Sequence, residues 1–172
     1  MKSLFSLSLL LLFFACKPIS VSTSVNSNEP ATDYDTFYWM PGIENQVQEL
    51  DNYINKDIMI KIEAKLAKEM ILKGYRMVKD NPTVLVNIEI IGSEKRTPLR
   101  AKNEGYKYWR AYQPQEYPEG SLVIELIHTG KEKVFWQGVA EDFLHEKPLR
   151  NNRKVEEAVH LVFENYQNKI FL

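Results

Sequence analysis

The side chains able to do chemistry in this sequence are few. There is one cysteine, Cys16, and three histidines, His128, His145 and His160. A single thiol excludes an intrachain disulfide and any multi-cysteine metal or iron–sulfur site. The histidines do not fall at metal-ligand spacing. His128 lies in a turn, and His160 has Glu164 one helical turn on, a pairing that reads as a surface contact. Asp33 with Asp35, and Glu141-Asp142, are carboxylates of the kind glycoside hydrolysis would need. Nothing around them in the sequence would raise a pKa, and solvated charges at strand ends account for them. No Ser–His–Asp, Cys–His or phosphate-loop pattern occurs, and Gly120-Ser121 lacks the flanks of a nucleophile elbow. These residues point to no catalytic set, no metal site and no cofactor.

The position of the one thiol is informative. Met1-Lys2-Ser3 is a short positive start, Leu4 to Phe14 is an apolar run broken only by Ser6 and Ser8, and Ala15-Cys16 closes it. A run of about 11 residues is too short to span a bilayer, which takes roughly 20. It has the form of a secretory signal followed by a small residue at the cleavage point. Phe13-Phe14-Ala15-Cys16 resembles a bacterial lipobox. The resemblance implies a signal peptide over residues 1–15, diacylglyceryl on the Cys16 sulfur, and a palmitate-type acyl chain on its freed amine. Two or three such chains anchor a protein stably where one does not. The alternative is an ordinary signal peptide with a coincident cysteine. No other segment approaches spanning length, so the expected contact with the membrane is through the acyl chains on Cys16.

The densest chemistry lies between Glu94 and Tyr117. Tyr106, Tyr108, Trp109, Tyr112 and Tyr117 are interleaved with basic residues. From 94 to 112, six of these (Lys95, Arg96, Arg100, Lys102, Lys107, Arg110) stand against Glu94 and Glu104, six minus two, a local +4. Aromatic faces stack on sugar rings, and guanidinium groups pair with phosphates and carboxylates. The same physics serves single-stranded nucleic acid, but an exported chain rarely meets any, so no nucleic acid is expected. Tyr106, Tyr108, Trp109, Arg110 and Tyr112 are therefore candidate binding residues for an envelope protein, an anionic glycan or a lipid headgroup. The bland reading is a long loop that buries its tyrosines over the open face of a sheet.

The elements that must position these residues follow from periodicity. With 172 residues, 22 basic against 23 acidic side chains and 44% apolar residues, the chain suits one globular domain of nearly balanced charge. Cleavage before Cys16 would remove Lys2 and leave 21 basic against 23 acidic residues, net −2. Residues 17–32, rich in Ser, Asn, Thr and Pro, read as a flexible tether that holds the domain clear of the membrane. The domain is expected over 33–172. Tyr34 to Trp39 reads as a strand ended by Pro41-Gly42. Asp51 to Lys73 reads as a helix, with Ile54, Ile58, Ile62, Leu66 and Met70 every four residues, Asp51 as N-cap and Gly74 as stop. Thr83 to Ile91 alternates as a strand. Leu122 to Ile127 and Val134 to Ala140 form a hairpin about a tight turn at 128–131. Arg153 to Asn168 is a second amphipathic helix, with Val155, Val159, Val162, Phe163 and Tyr166 on one stripe. Trp136-Gln137-Gly138 lies mid-strand; the glycine either admits a ligand or makes room for packing, and packing is the preferred reading. The order β-α-β-β-β-α and the one-sided apolar stripes predict an α+β two-layer sandwich: a four-stranded, mostly antiparallel sheet with both helices on one face.

These pieces together resemble a known family. Asp33-Tyr34 and Thr36-Phe37-Tyr38-Trp39 lie near the mature start. Lys73-Gly74-Tyr75 closes the first helix, Pro82-Thr83-Val84-Leu85-Val86 follows it, and the hairpin runs from Gly120-Ser121-Leu122 to Trp136-Gln137-Gly138-Val139-Ala140. In this order and spacing they resemble the bacterial lipoprotein family known as domain of unknown function 4136, over about 33–168. The resemblance implies an envelope lipoprotein of Gram-negative bacteria, notably Bacteroidota, and no known reaction or catalytic residue. Lys17 after the cysteine is not the aspartate of inner-membrane retention, and no acidic surface-export run follows. An outer-membrane location facing the periplasm is therefore expected. The function expected is a non-catalytic binding or scaffolding module, acting through the open sheet face and the 94–117 segment. Its rivals are an accessory lipoprotein of lipid or solute transport, with an apolar groove between sheet and helices, and a glycan hydrolase.

Overall fold

Among the described residues the chain forms six strands and two helices, most of them marked in the sequence by periods of two and near four. The computed structural model describes residues 19–25, 34–41, 56–91, 117–131, 133–143, 152–164 and 166. The elements are β1 (Ser20–Val25), β2 (Thr36–Trp39), α1 (Lys56–Leu72), β3 (Arg76–Met77), β4 (Val84–Ile90), β5 (Leu122–His128), β6 (Lys133–Glu141) and α2 (Asn152–Glu164). The strands form one sheet in the order β1-β6-β5-β4-β2-β3. β1–β6, β6–β5 and β5–β4 are antiparallel; β4–β2 and β2–β3 are parallel.

The α+β sandwich is as the periodicity predicts, but the sheet is six-stranded and mixed, not four-stranded and mostly antiparallel. Both additional strands are edge strands. β1 comes from the segment read as a tether: six residues pair in register with β6, from Ser20 opposite Glu141 to Val25 opposite Trp136. Its serines suggested a linker, yet Ser-Val-Ser-Thr-Ser-Val also alternates with period two, and Val21 packs on the core. β3 is only two residues long, too short to leave a pattern. The Arg76 amide donates to the Asp35 carbonyl at 2.8 Å and the Val78 amide to the Phe37 carbonyl at 3.0 Å.

The helices lie against one face. Ile58, Ile62, Leu66 and Met70 of α1 and Val155, Val159, Val162 and Phe163 of α2 form one core with Phe37, Val84, Val86, Ile88, Ile124, Leu126 and Trp136. Burying each such aliphatic side chain contributes about 1.5–3 kcal/mol before chain entropy is subtracted. α1 ends as expected at Gly74, whose φ of 91° suits glycine. The Gly74 amide donates to Ile71 O and the Tyr75 amide to Met70 O, the paired bonds of a Schellman cap. Asp51, the expected N-cap, lies outside the described residues. Gly138 serves packing: a Cβ there would lie 2.4 Å from Val162 Cγ1 and 2.5 Å from Trp136 Cη2. A side chain at this position would push α2 off the sheet.

The start of the parallel β2–β4 pair is tied by two threonines. The Thr36 amide donates to Thr83 Oγ1 at 3.1 Å, the Thr83 amide to Thr36 Oγ1 at 2.9 Å, and Thr83 Oγ1 to the Thr36 carbonyl at 2.9 Å. The face away from the helices is not open. Val123, Ile127, Gln137 and Val139, which project there by alternation, are all buried, Val123 completely. An open sheet face is therefore not available as a docking surface at these positions.

Candidate functional site

The helix-free face carries a polar row across its centre. Asn87 of β4, Glu125 of β5 and Gln137 of β6 sit directly opposite one another in the strand register. Asn87 Nδ2 donates to Glu125 Oε2 at 2.9 Å, and Gln137 Nε2 donates to Glu125 Oε1 at 2.9 Å. Tyr117 Oη then donates to Gln137 Oε1 at 2.7 Å. Gln137 is 3% exposed. Leu85, Ile127 and Val134 make an apolar cluster beside the row. Each carboxylate oxygen of Glu125 thus accepts from a planar amide, the charge-assisted arrangement that fixes side-chain geometry. The row is an aligned strip of donors and acceptors; it holds no paired carboxylates.

A second polar cluster lies between the helices. Glu69 of α1 is 5% exposed. Its Oε1 lies 2.8 Å from Lys65 Nζ and 3.2 Å from His160 Nδ1 of α2. Burial pushes the Glu69 carboxyl up; the hydrogen bonds from Lys65 and His160, with their charges, together push it down by more, so it rests below its ordinary value of 4.5. The structure thus gives His160 a partner in the other helix, Glu69, 91 residues away in the chain. Within the core, the hydroxyls of Tyr75 and Tyr166 are 2.5 Å apart. His128 packs edge-on to Tyr34 at 4.8 Å between centroids, and its Nδ1 accepts from the Lys131 amide at 3.1 Å. Among the described residues no group of three His, Cys, Asp or Glu side chains could hold a metal.

Of the residues singled out in the sequence, Cys16, Tyr106, Tyr108, Trp109, Arg110 and Tyr112 lie outside the described residues, as do Asp33 and His145. Tyr117 is described, and it joins the polar row. The carboxylates imagined as a hydrolytic pair are not brought together. Asp35 precedes β2 at the end of the sheet where β4 begins, whereas Glu141 closes β6 at the end where β4 finishes. Three strand spacings alone separate them by about 14 Å, beyond the roughly 5–9.5 Å of a glycosidase pair. Asp35 instead pairs with Arg76 at 2.5 Å on the surface. The space between sheet and helices, where a lipid groove was a rival expectation, is occupied by fully buried Phe37, Ile62, Leu66, Met70 and Phe163. Asn87, Glu125 and Gln137 were not foreseen as a group. Alternation marks each as facing away from the core, but their alignment depends on a register shift in the hairpin, between Leu126 and Ile127.

Comparison with known proteins gives a family and a fold. The family described as domain of unknown function (DUF4136) matches residues 21–166. No curated protein matches the chain. Among solved structures, a PDZ domain protein from Parabacteroides distasonis is similar at a TM-score of 0.52 and 16% identity, over 83% of this chain and 34% of that one. The chain thus spans about a third of that protein's length. A PelC dodecamer from Paraburkholderia phytofirmans matches at a TM-score of 0.44 and 11% identity, over 84% of this chain and 94% of that one. At these identities the likeness to the first concerns the fold alone.

Proposed function

The chain belongs to the DUF4136 family, and from that premise we propose that it is a lipid-anchored cell-envelope protein, acylated at Cys16, that works without catalysis as a binding or scaffolding module. The observation that carries this reading is the place of the sole thiol, directly behind an apolar run of signal-peptide length and a small residue. Among the described residues no helix is long and apolar enough to cross a membrane, in keeping with attachment by acyl chains. The location that fits is the outer membrane, with the domain in the periplasm.

Binding falls to the segment between β4 and β5. The helix face is filled and the other face is buried at its central positions, whereas residues 94–112 carry +4 and four of the aromatic side chains. Tyr106, Tyr108, Trp109, Arg110 and Tyr112 are the proposed contact residues, and an envelope protein, anionic glycan or lipid headgroup is the partner class. Mass spectrometry of the mature protein tests the anchor: the Cys16 peptide is expected with acyl groups, and a free thiol there sinks the reading. Crosslinking from intact envelopes tests the contacts. A Trp109→Ala, Tyr112→Ala double variant should lose partners that the unmodified chain captures; identical partner sets remove the loop from the proposal.

A further inference from the structure

β1 changes the distance between anchor and domain. Only Lys17 and Pro18 separate Cys16 from Ile19, which already packs on the core, and Ser20 is paired with Glu141. Three extended residues reach at most about 11 Å. The headgroup layer on each side of a bilayer is itself about 5–8 Å thick. A leash this short cannot hold the domain clear of the lipid surface.

The register tells which part of the domain lies nearest. Ser20 is opposite Glu141, Ala140 is opposite Leu122, and Leu122 is opposite Ile90. The start of β1, the end of β6, the start of β5 and the end of β4 therefore share one end of the sheet. The hairpin turn at Thr129 to Lys131 closes the opposite end. Along β5, six residue steps of about 3.4 Å put the two ends roughly 20 Å apart.

We propose that the sheet end marked by Ile19, Glu119 and Asp142, none of them buried, is seated on the lipid surface, with β1, β6, β5 and β4 rising away from it. This deepens the anchoring reading above and rests on it. The occupant is the bilayer that holds the Cys16 acyl chains. The chain that leaves the sheet at Ile91 and returns at Tyr117 is attached to this same end, and its sequence carries the positive charge that anionic headgroups attract. The seat itself is the described sheet end, and the short leash dictates it.

Site-selective quenching tests the seat. With Cys16 acylated the chain has no other thiol, so Glu119→Cys and Lys133→Cys each give one labelling site, at the near and far ends. The full acylated protein is reconstituted in phosphatidylethanolamine vesicles doped with headgroup-nitroxide lipid. Because roughly 20 Å separates the ends, quenching at position 119 is expected to exceed that at 133 by about threefold or more. Inserting about ten Gly/Ser residues after Lys17 should bring that ratio towards one. Equal quenching at both sites in an acylated chain overturns the seat and leaves the anchor standing. A ratio unmoved by the insertion overturns the leash as its cause. A mature chain without acyl groups fails the anchoring reading and the seat together.

Discussion

Tyr75 and Tyr166, 91 residues apart in the chain, share a hydrogen bond of 2.5 Å between hydroxyls inside the core. Tyr75 closes the Schellman cap of α1 through its amide, and Tyr166 follows α2, where its ring packs on Trp136 and Phe163. The pair therefore links the C-terminal ends of both helices, and each hydroxyl satisfies the other away from water. Tyr75→Phe or Tyr166→Phe alone strips a buried hydroxyl of this bond and should cost about 1–3 kcal/mol. The double variant should cost less than the sum. Urea unfolding of the three variants checks the cycle; strict additivity argues against the coupling.

The same pair sets an alkaline limit. Burial pushes the Tyr166 phenol up to about 12, against a smaller opposing effect of the bond from Tyr75. Burial, then Tyr166, pushes Tyr75 up further. A group whose pKa is raised on folding contributes stability that is full below its unfolded value, near 10, and is lost as pH rises through the folded value. Stability should therefore fall between about pH 10 and 12. Tyr75→Phe, Tyr166→Phe should flatten that limb in urea titrations.

Glu69 sets an acid limit of opposite sense. Burial raises its carboxyl, and Lys65 and His160 together lower it below 4.5. A depressed carboxylate contributes stability above its unfolded pKa and loses it as pH falls through the folded one. The contribution should disappear as pH drops below 4.5. Glu69→Gln should cost about 1 kcal/mol at neutral pH, because both partners reach solvent, and should remove part of the acid dependence. An unchanged acid limb sinks this account.

Gly138 should resist any side chain. A Cβ would meet Val162 at 2.4 Å, and overpacking of this kind costs about 1–3 kcal/mol. Gly138→Ala should lower the thermal midpoint, and Val162→Ala in the same chain should recover part of the loss. Failure of the second substitution to compensate would place the strain at Trp136 instead.

β1 should behave as part of the fold. Hydrogen exchange is expected to show slowed amides within 20–25, from pairing with β6. Exchange at the free-chain rate throughout that segment would return it to the status of a tether.

Much of this architecture is legible without coordinates. The helix stripe Ile58, Ile62, Leu66 and Met70 and the alternation in β4, β5 and β6 are local patterns, because a buried face repeats with the backbone's own period. The Gly74 stop and the packing role of Gly138 belong to the same class. Edge strands escape such reading. β1 is written in serine and threonine, since one side of it meets a neighbouring strand and much of its surface meets water. β3 is too short to carry any period.

The sequence by itself determined the α+β class, the core stripes, the family and the place of the sole thiol beside a cleavage-like site. These depend on residue types at short spacing. The tertiary structure alone decided the alignment of Asn87, Glu125 and Gln137, because a register shift in the hairpin settles which side chains stand opposite. It alone separated Asp35 from Glu141, brought Glu69 to His160, and turned part of the expected tether into a strand that starts at Ser20, with three residues between it and Cys16. Those relations join parts of the chain far apart in sequence, and only pairing and packing bring them together.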